Sequence, residues 1–360
     1  MQLERYEIRA ATLADGDDLY DLSRYLDSVN LPHERTAIDA VLMRSERAFS
    51  RTEGDPRRRE YVFVLHDLEL DRAIGTSIVF GQLGRRDAPY IFFDVKKEER
   101  YSQSLDRHFV HSVLSMGYSY NGPTEIGGLV MHPDARRAPE RLGQQISYVR
   151  FLWIAMHRDY FQNYVLAELL PPLADDGTSH LWEAVGRRFT GLDYREADRL
   201  SKTNKEFIRG LFPDGDIYAS LLSDDAQAAI GEVGPQTKGV EKLLRRIGFE
   251  YVNRVDPFDG GPHFVAPIEK ISLLRAAHAV HLGSSDAPED APGSLVPHLV
   301  GIESDMAPYF RAFSCAIEPS QGGVVALPRA QRDRLQLETG AKLWVLPLRP
   351  SRPPPNQGHG

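Results

Sequence analysis

Three arginines and a glycine mark the most chemically pointed stretch of this 360-residue chain. Arg136, Arg137, Arg141 and Gly143 lie in DARRAPERLG (134–143), between a strand-like run, EIGGLVMHP (125–133), and the clearest helical pattern in the sequence. That pattern is Leu142, Ile146, Val149, Trp153 and Met156, at spacings of 4, 3, 4 and 3. A helix start offers N–H groups without intrahelical partners and the positive end of the helix dipole, so it suits a phosphate. Arginines at that start add charge-assisted contacts. The bland reading of the same residues is a solvated, charged helix start, which is what charge runs usually are. Pro139 withholds one donor from the loop.

Other reactive residue types point less sharply. His132 and His263 have no ligand-type company at helical or hairpin spacing, so no metal site is expected. Cys315 is the one cysteine and reads as a small core residue; a disulfide scaffold or a multi-cysteine metal site is excluded. Trp153 and Trp182 fall on apolar helix faces and read as core. Asp259, Gly260 and Gly261 read as a tight turn.

The elements that must position these groups follow from periodicity. YEIRA (6–10) reads as a strand. Thr12 and Asp15 make a short capping box before a helix with Leu19, Leu22, Leu26 and Val29 on one face. A second helix is expected over 36–49, a hairpin over 61–66 and 73–80, and a strand over 164–170 stopped by Pro171 and Pro172. Helices are expected at 179–189 and 237–247, with a strand at 249–258. The stretch 81–124 is mixed and is expected to be irregular, or to hold a short helix near 104–116. GSSDAPEDAPGS (283–294) reads as a linker or surface loop, short β-like runs follow it, and 351–360 reads as a disordered tail.

Composition bounds the function. The net charge is -8, which argues against nucleic acid or an anionic membrane as the main partner. No apolar run approaches the roughly 20 residues of a membrane helix, and MQLERYEIRA has no signal-peptide core. A cytoplasmic protein is the expectation.

The order strand, two helices, hairpin, strand, loop, helix, strand, helix resembles the acyl-CoA N-acyltransferase-like (GNAT-like) fold. The resemblance narrows downstream. GTSHLWEAVGRRFTGLDYREADRLSKTNKEFI (177–208), DDAQAAIGEVGPQT (224–237), IGFEYVNRVDPFDGGP (247–262) and LVGIESDMAPYFR (299–311) are similar, in order and spacing, to arginine N-succinyltransferases. The likeness runs from about residue 6 to 350. It implies a mixed α/β (α+β) fold with an extended second half and a small β-rich C-terminal unit. The expected division is 1–200 for the acyltransferase core, 201–266 for its second part, 267–350 for the β-rich unit and 351–360 for the tail.

The resemblance also implies a reaction: transfer of a succinyl group from succinyl-CoA, as co-substrate, to the α-amine of L-arginine, with no permanently bound cofactor. Strand residues Leu129, Val130 and Met131 would hold the pantetheine, with Leu129 on the family's succinyl-CoA-binding leucine. Arg136, Arg137, Arg141 and Gly143 would receive the phosphates. Glu125 and Glu168 fall on family glutamates and would line the acceptor side, where Glu168 could meet a guanidinium or serve only as a paired structural carboxylate. The family's general-acid histidine falls on Gly234, which has no proton to give. Glu232 and His180 are the replacements to weigh, against their readings as a surface carboxylate and a helix N-terminal residue. Two alternatives stay open: transfer involving another amine or acyl-CoA, and a non-catalytic family subunit. A homo-oligomer and a related partner subunit are both compatible with the resemblance.

Overall fold

The computed structural model describes residues 5–25, 30–85, 88–201, 204–287, 296–317 and 323–348. The chain forms two compact units, neither continuous in sequence. One takes in Met1–Val79, Gly128–Tyr160 and Ser272–Gly360; the other takes in Phe80–Gly127 and Phe161–Ile271. No helix among the described residues is long and apolar enough to cross a membrane.

In the first unit, Tyr6–Ala10 pairs antiparallel with Glu60–Asp67 on one side and with Phe310–Ile317 on the other. The β-rich C-terminal segment therefore continues the sheet of the N-terminal strands. Its ladder runs through Val296–Glu303 and Lys342–Pro347 to His278–Asp286 and Val324–Leu327. The expected linker at 283–294 needs correction, because Gly283–Asp286 belongs to a strand; its polar residues are tolerated because that stretch is largely solvent-facing. Residues 288–295 and the expected tail lie outside the described residues.

Helix Arg35–Phe49 buries Ile38, Val41, Leu42, Ser45, Ala48 and Phe49, the 3.6-residue stripe that its pattern predicts. Asp15 accepts a hydrogen bond from Thr12 N–H at 2.7 Å, as the capping box requires; Leu26 and Val29 lie outside the described residues. Helix Leu142–Met156 is enclosed nearly all round, with Trp153 amid Phe49, Tyr61, Phe63 and Phe310. The core reading of Trp153 stands, and so does that of Cys315, whose thiol burial pushes up to about 12.

The second unit overturns the reading of 81–124. Tyr90–Ser102 and Arg107–Ser119 form one long antiparallel hairpin, paired from Tyr90↔Ser119 to Ser102↔Arg107. Alternation fails there for two opposite reasons. At the root Tyr90, Ile91, Phe92 and Phe93 are all buried, so both faces are apolar. Toward the tip both faces meet solvent, and polar residues mix with exposed Tyr101, Leu105 and Phe109. Trp182 is fully buried and stacks on Phe258 at 5.0 Å, in a core that includes Phe93, Leu181 and Ile208. The expected helix over 179–189 is present, with a π-helical stretch at Trp182–Gly186.

Strand Thr124–Met131 contributes residues to both units. Gly128 on it has φ +55°, and a Cβ there would fall 2.6 Å from Ile78 Cδ1 and Cγ1. A left-handed residue inside a strand bends it and needs glycine. Gly128→Ala is expected to destabilise the protein by about 1–3 kcal/mol through strain and overpacking. The denaturant midpoint should fall with an unchanged slope.

Candidate active site

The phosphate-binding candidates are all in the first unit. Val130 and Met131 are buried and Leu129 is half-buried at the end of strand Thr124–Met131. A 3-10 turn, Pro133–Ala135, then leads to the helix start at Leu142. Arg136 folds back, and its Nε donates to Met131 O at 3.1 Å, while Arg137 and Arg141 are exposed. Arg141 takes the left-handed conformation, φ 56°, and its carbonyl accepts from Gln144 and Gln145 N–H. Gly143 has open space around it: a Cβ would meet only Met131 Cγ, at 3.8 Å. Packing within the protein thus does not require glycine at 143. Close approach of a bound molecule to the backbone would.

The acceptor-side candidates meet in the second unit. The parallel ladder between Thr124–Met131 and Tyr164–Glu168 consists of Thr124↔Val165 and Glu125↔Leu166. Antiparallel pairing places His263 opposite Glu168, so the two side chains share a face. His263 Nε2 lies 3.4 Å from Glu168 Oε1. Asp256 joins them from the turn between Glu250–Val255 and Pro262–Pro267, where its N–H donates to Gly261 O and its carboxylate accepts from Phe258 N–H. Ligand-type atoms of Glu168, Asp256 and His263 all lie within 4.8 Å of one another.

His263 is fully buried, and its Nδ1 is hydrogen-bonded to the Tyr90 hydroxyl at 2.6 Å. Burial, helped by the charges of Arg254 and Lys205, pushes its pKa down to about 3, so the imidazole is neutral. Glu168 moves the other way. Its side chain keeps 31% of its surface, yet protein crowds it. Burial first, then the Glu125 and Asp256 carboxylates, raise its carboxyl well above the usual range. Burial raises Asp256 as well, against the hydrogen bond from Phe258 N–H and the charge of Lys205.

The company of His263 corrects the sequence reading. Spacing along one element could not show a partner that sheet register delivers from a distant strand. Asp256 and His263 are nevertheless close in sequence: Asp256 opens the DPFDGGP run and His263 follows it directly, and Lys205 sits in NKEFI. His132 meets Asp134 at 3.5 Å and belongs to no group of three ligand-type residues among those described.

Gly234 is buried against the chain that follows Glu168. Its N–H donates to Leu170 O at 2.8 Å, and Thr237 Oγ1 donates to the same carbonyl at 3.0 Å. A Cβ at 234 would fall 2.6 Å from Pro171 O and 2.9 Å from Leu170 O. Glu232 and His180, weighed as replacements for the histidine that the resemblance implies at 234, are not members of the Glu168–Asp256–His263 group. Glu232 is exposed, and its charge is felt at the Tyr251 hydroxyl. His180 lines a polar cavity of about 600 Å³ with Asp176, Glu183, Arg187 and Arg195.

Arginines at a helix start suit a phosphate, and a carboxylate of raised proton affinity suits a base; both are compatible with an α/β acyltransferase. Known proteins carry the assignment further. Residues 6–273 match the family model described as "Arginine N-succinyltransferase beta subunit". The arginine N-succinyltransferase of Citrobacter koseri is 32% identical over 308 residues, spanning 85% of this chain and 87% of its own. That of Salmonella paratyphi B is 33% identical over 309 residues, with the same shares. Arginine/ornithine succinyltransferase subunit AI from Pseudomonas aeruginosa has a TM-score of 0.78 at 26% identity, covering 96% of this chain and 99% of that one. The chain belongs to the arginine N-succinyltransferase family.

Proposed function

We propose that the protein transfers the succinyl group of succinyl-CoA to the α-amine of L-arginine. The observation that carries the chemical role is Glu168: a solvent-reachable carboxylate whose proton affinity is raised by burial and by neighbouring carboxylates. A free amine attacks a thioester and an ammonium does not, so the enzyme needs a proton acceptor with a pKa drawn toward neutrality. Glu168 takes one proton from the ammonium, the freed nitrogen forms its bond to the thioester carbon, and the C–S bond breaks; the nitrogen then gives up a second proton, which balances the one the departing thiolate takes up. CoA leaves as a thiolate, a good leaving group that later takes up a proton. That makes a dedicated acid the more dispensable partner and fits a glycine at 234. Leu129, Val130 and Met131 carry the pantetheine in this reading, and Arg136, Arg137, Arg141 and Gly143 the phosphates.

Succinyl-CoA is a co-substrate, and the reaction as written calls for no resident cofactor. The cytoplasm is the compartment where these substrates would be met. Free CoA measured with arginine, with other amines and with none tests the reading. Arginine-dependent release is expected; release only with another amine would replace the acceptor.

A second reading, a non-catalytic partner subunit, draws on Gly234 and on the subunit wording attached to the family and to the Pseudomonas aeruginosa protein. It predicts no turnover by the purified chain.

The pH dependence discriminates further. Glu168 acts only when ionised, so kcat/KM falls as pH drops through its raised pKa. The acidic limb should therefore lie above the ordinary glutamate value of about 4.3. Glu125 contributes the largest raising charge after burial. Glu125→Gln should thus move that limb to lower pH. A limb that stays in place in this variant would remove Glu168 as the titrating base.

A further inference from the structure

His263 supplies a clue that the succinyl-transfer reading leaves unused. It is fully buried, Tyr90 occupies its Nδ1, and its Nε2 makes no hydrogen bond. A buried polar atom without a partner is costly unless something arrives to meet it. Nε2 faces Glu168 at 3.4 Å, with Asp256 in the same group of three. The three residues offer one acceptor atom each: two from carboxylates and one from a neutral ring.

We infer that Glu168, Asp256 and His263 form a tripod for a primary ammonium, the reacting α-amine of the acceptor. An ammonium is a compact charge with three N–H donors, whereas a guanidinium is a planar fork that suits paired oxygens in one plane. Three N–H donors of about 2.9 Å each can reach acceptors up to roughly 4.7 Å apart. The spread of the trio, within 4.8 Å, agrees. In the tautomer whose Nδ1–H donates to Tyr90 Oη, Nε2 is free to accept. The proton then passes from the ammonium to a Glu168 oxygen. The neutral amine stays anchored on Asp256 and Nε2, and its lone pair is released for attack.

A divalent metal fits the same three atoms less well. A metal-bound histidine usually gives its other ring N–H to a carboxylate, a backbone carbonyl or water, and here a tyrosine hydroxyl holds that position. The Lys205 charge, felt by Glu168, Asp256 and His263 alike, would repel a dication about twice as strongly as a singly charged ammonium.

The inference rests on the acceptor being an α-amino compound, so its test separates binding from turnover. Calorimetry of the full chain with L-arginine and with Nα-methyl-L-arginine, without acyl-CoA, reads the tripod directly. Methylation removes one of three N–H donors, and roughly tenfold weaker binding is expected. Asp256→Asn should weaken L-arginine by roughly 10- to 100-fold and shrink the preference over the methylated compound. KM for succinyl-CoA should stay unchanged. Equal binding of the two compounds, or an arginine Kd unchanged in Asp256→Asn, overturns the inference. Tight binding of Zn²⁺ alone, lost in both Asp256→Asn and His263→Gln, would overturn it in favour of a metal site. Arginine binding that follows this pattern without succinyl transfer would leave the tripod standing and defeat the proposed reaction. Succinyl transfer with an unchanged Kd in Asp256→Asn would do the reverse.

Discussion

Glu168→Gln is expected to lower kcat for succinyl transfer by about 10²–10⁴-fold, the usual loss for a missing general base. Glutamine keeps the shape and can still hydrogen-bond, but it cannot take the proton of the incoming amine. KM for succinyl-CoA should be unchanged, because the residues proposed to hold it are Leu129, Val130, Met131 and the 136–143 loop. Instability would not explain the loss. A carboxyl whose folded pKa is raised above its unfolded value penalises the fold at pH values above both, and the neutral amide removes that penalty. The variant should therefore be at least as stable as the parent at pH 7. A kcat within about threefold of the parent would show that Glu168 is not the base.

The second large effect concerns Gly234. Restoring the family's histidine there is expected to harm the protein and leave its activity no higher. The obstacle comes before any question of chemistry. The first side-chain atom would press on the carbonyls of Pro171 and Leu170, which are backbone atoms and cannot rotate aside. The loop is pinned at that spot by the Gly234 and Thr237 hydrogen bonds to Leu170 O. Gly234→His should cost about 1–3 kcal/mol or more by overpacking, with at least one of those bonds lost. Gly234→Ala should show much of the same penalty, since the clash is at Cβ. Urea unfolding of both variants beside CoA release checks this. A Gly234→His protein that is as stable as the parent and markedly faster would mean that the loop opens readily and that the acid was a real loss.

Much of this was legible in the sequence because it is local. The strand–loop–helix unit over 124–156 follows from two glycines, a run of charge and a 3.6-residue period within one stretch. Helix Arg35–Phe49 and the C-terminal strands were readable for the same reason. The 90–119 hairpin was not, because its strands are apolar on both faces at the root and solvated on both at the tip, and neither pattern alternates. Glu168 could be singled out from its strand and family position. The identity of its neighbours could not: His263 reaches it through antiparallel register and Asp256 through a turn beyond a third strand. Nor does a letter G at 234 reveal whether glycine marks a lost function or a close backbone approach; the distances to Leu170 and Pro171 supply the second answer.

The central claim is that this chain itself joins a succinyl group to arginine. Mass analysis of a reaction containing the purified protein, succinyl-CoA and L-arginine tests it most directly. The account predicts N-succinylarginine and free CoA in equal amounts, formed with the parent protein and nearly absent with Glu168→Gln. Free CoA without the conjugate, or no CoA release at all, would contradict it.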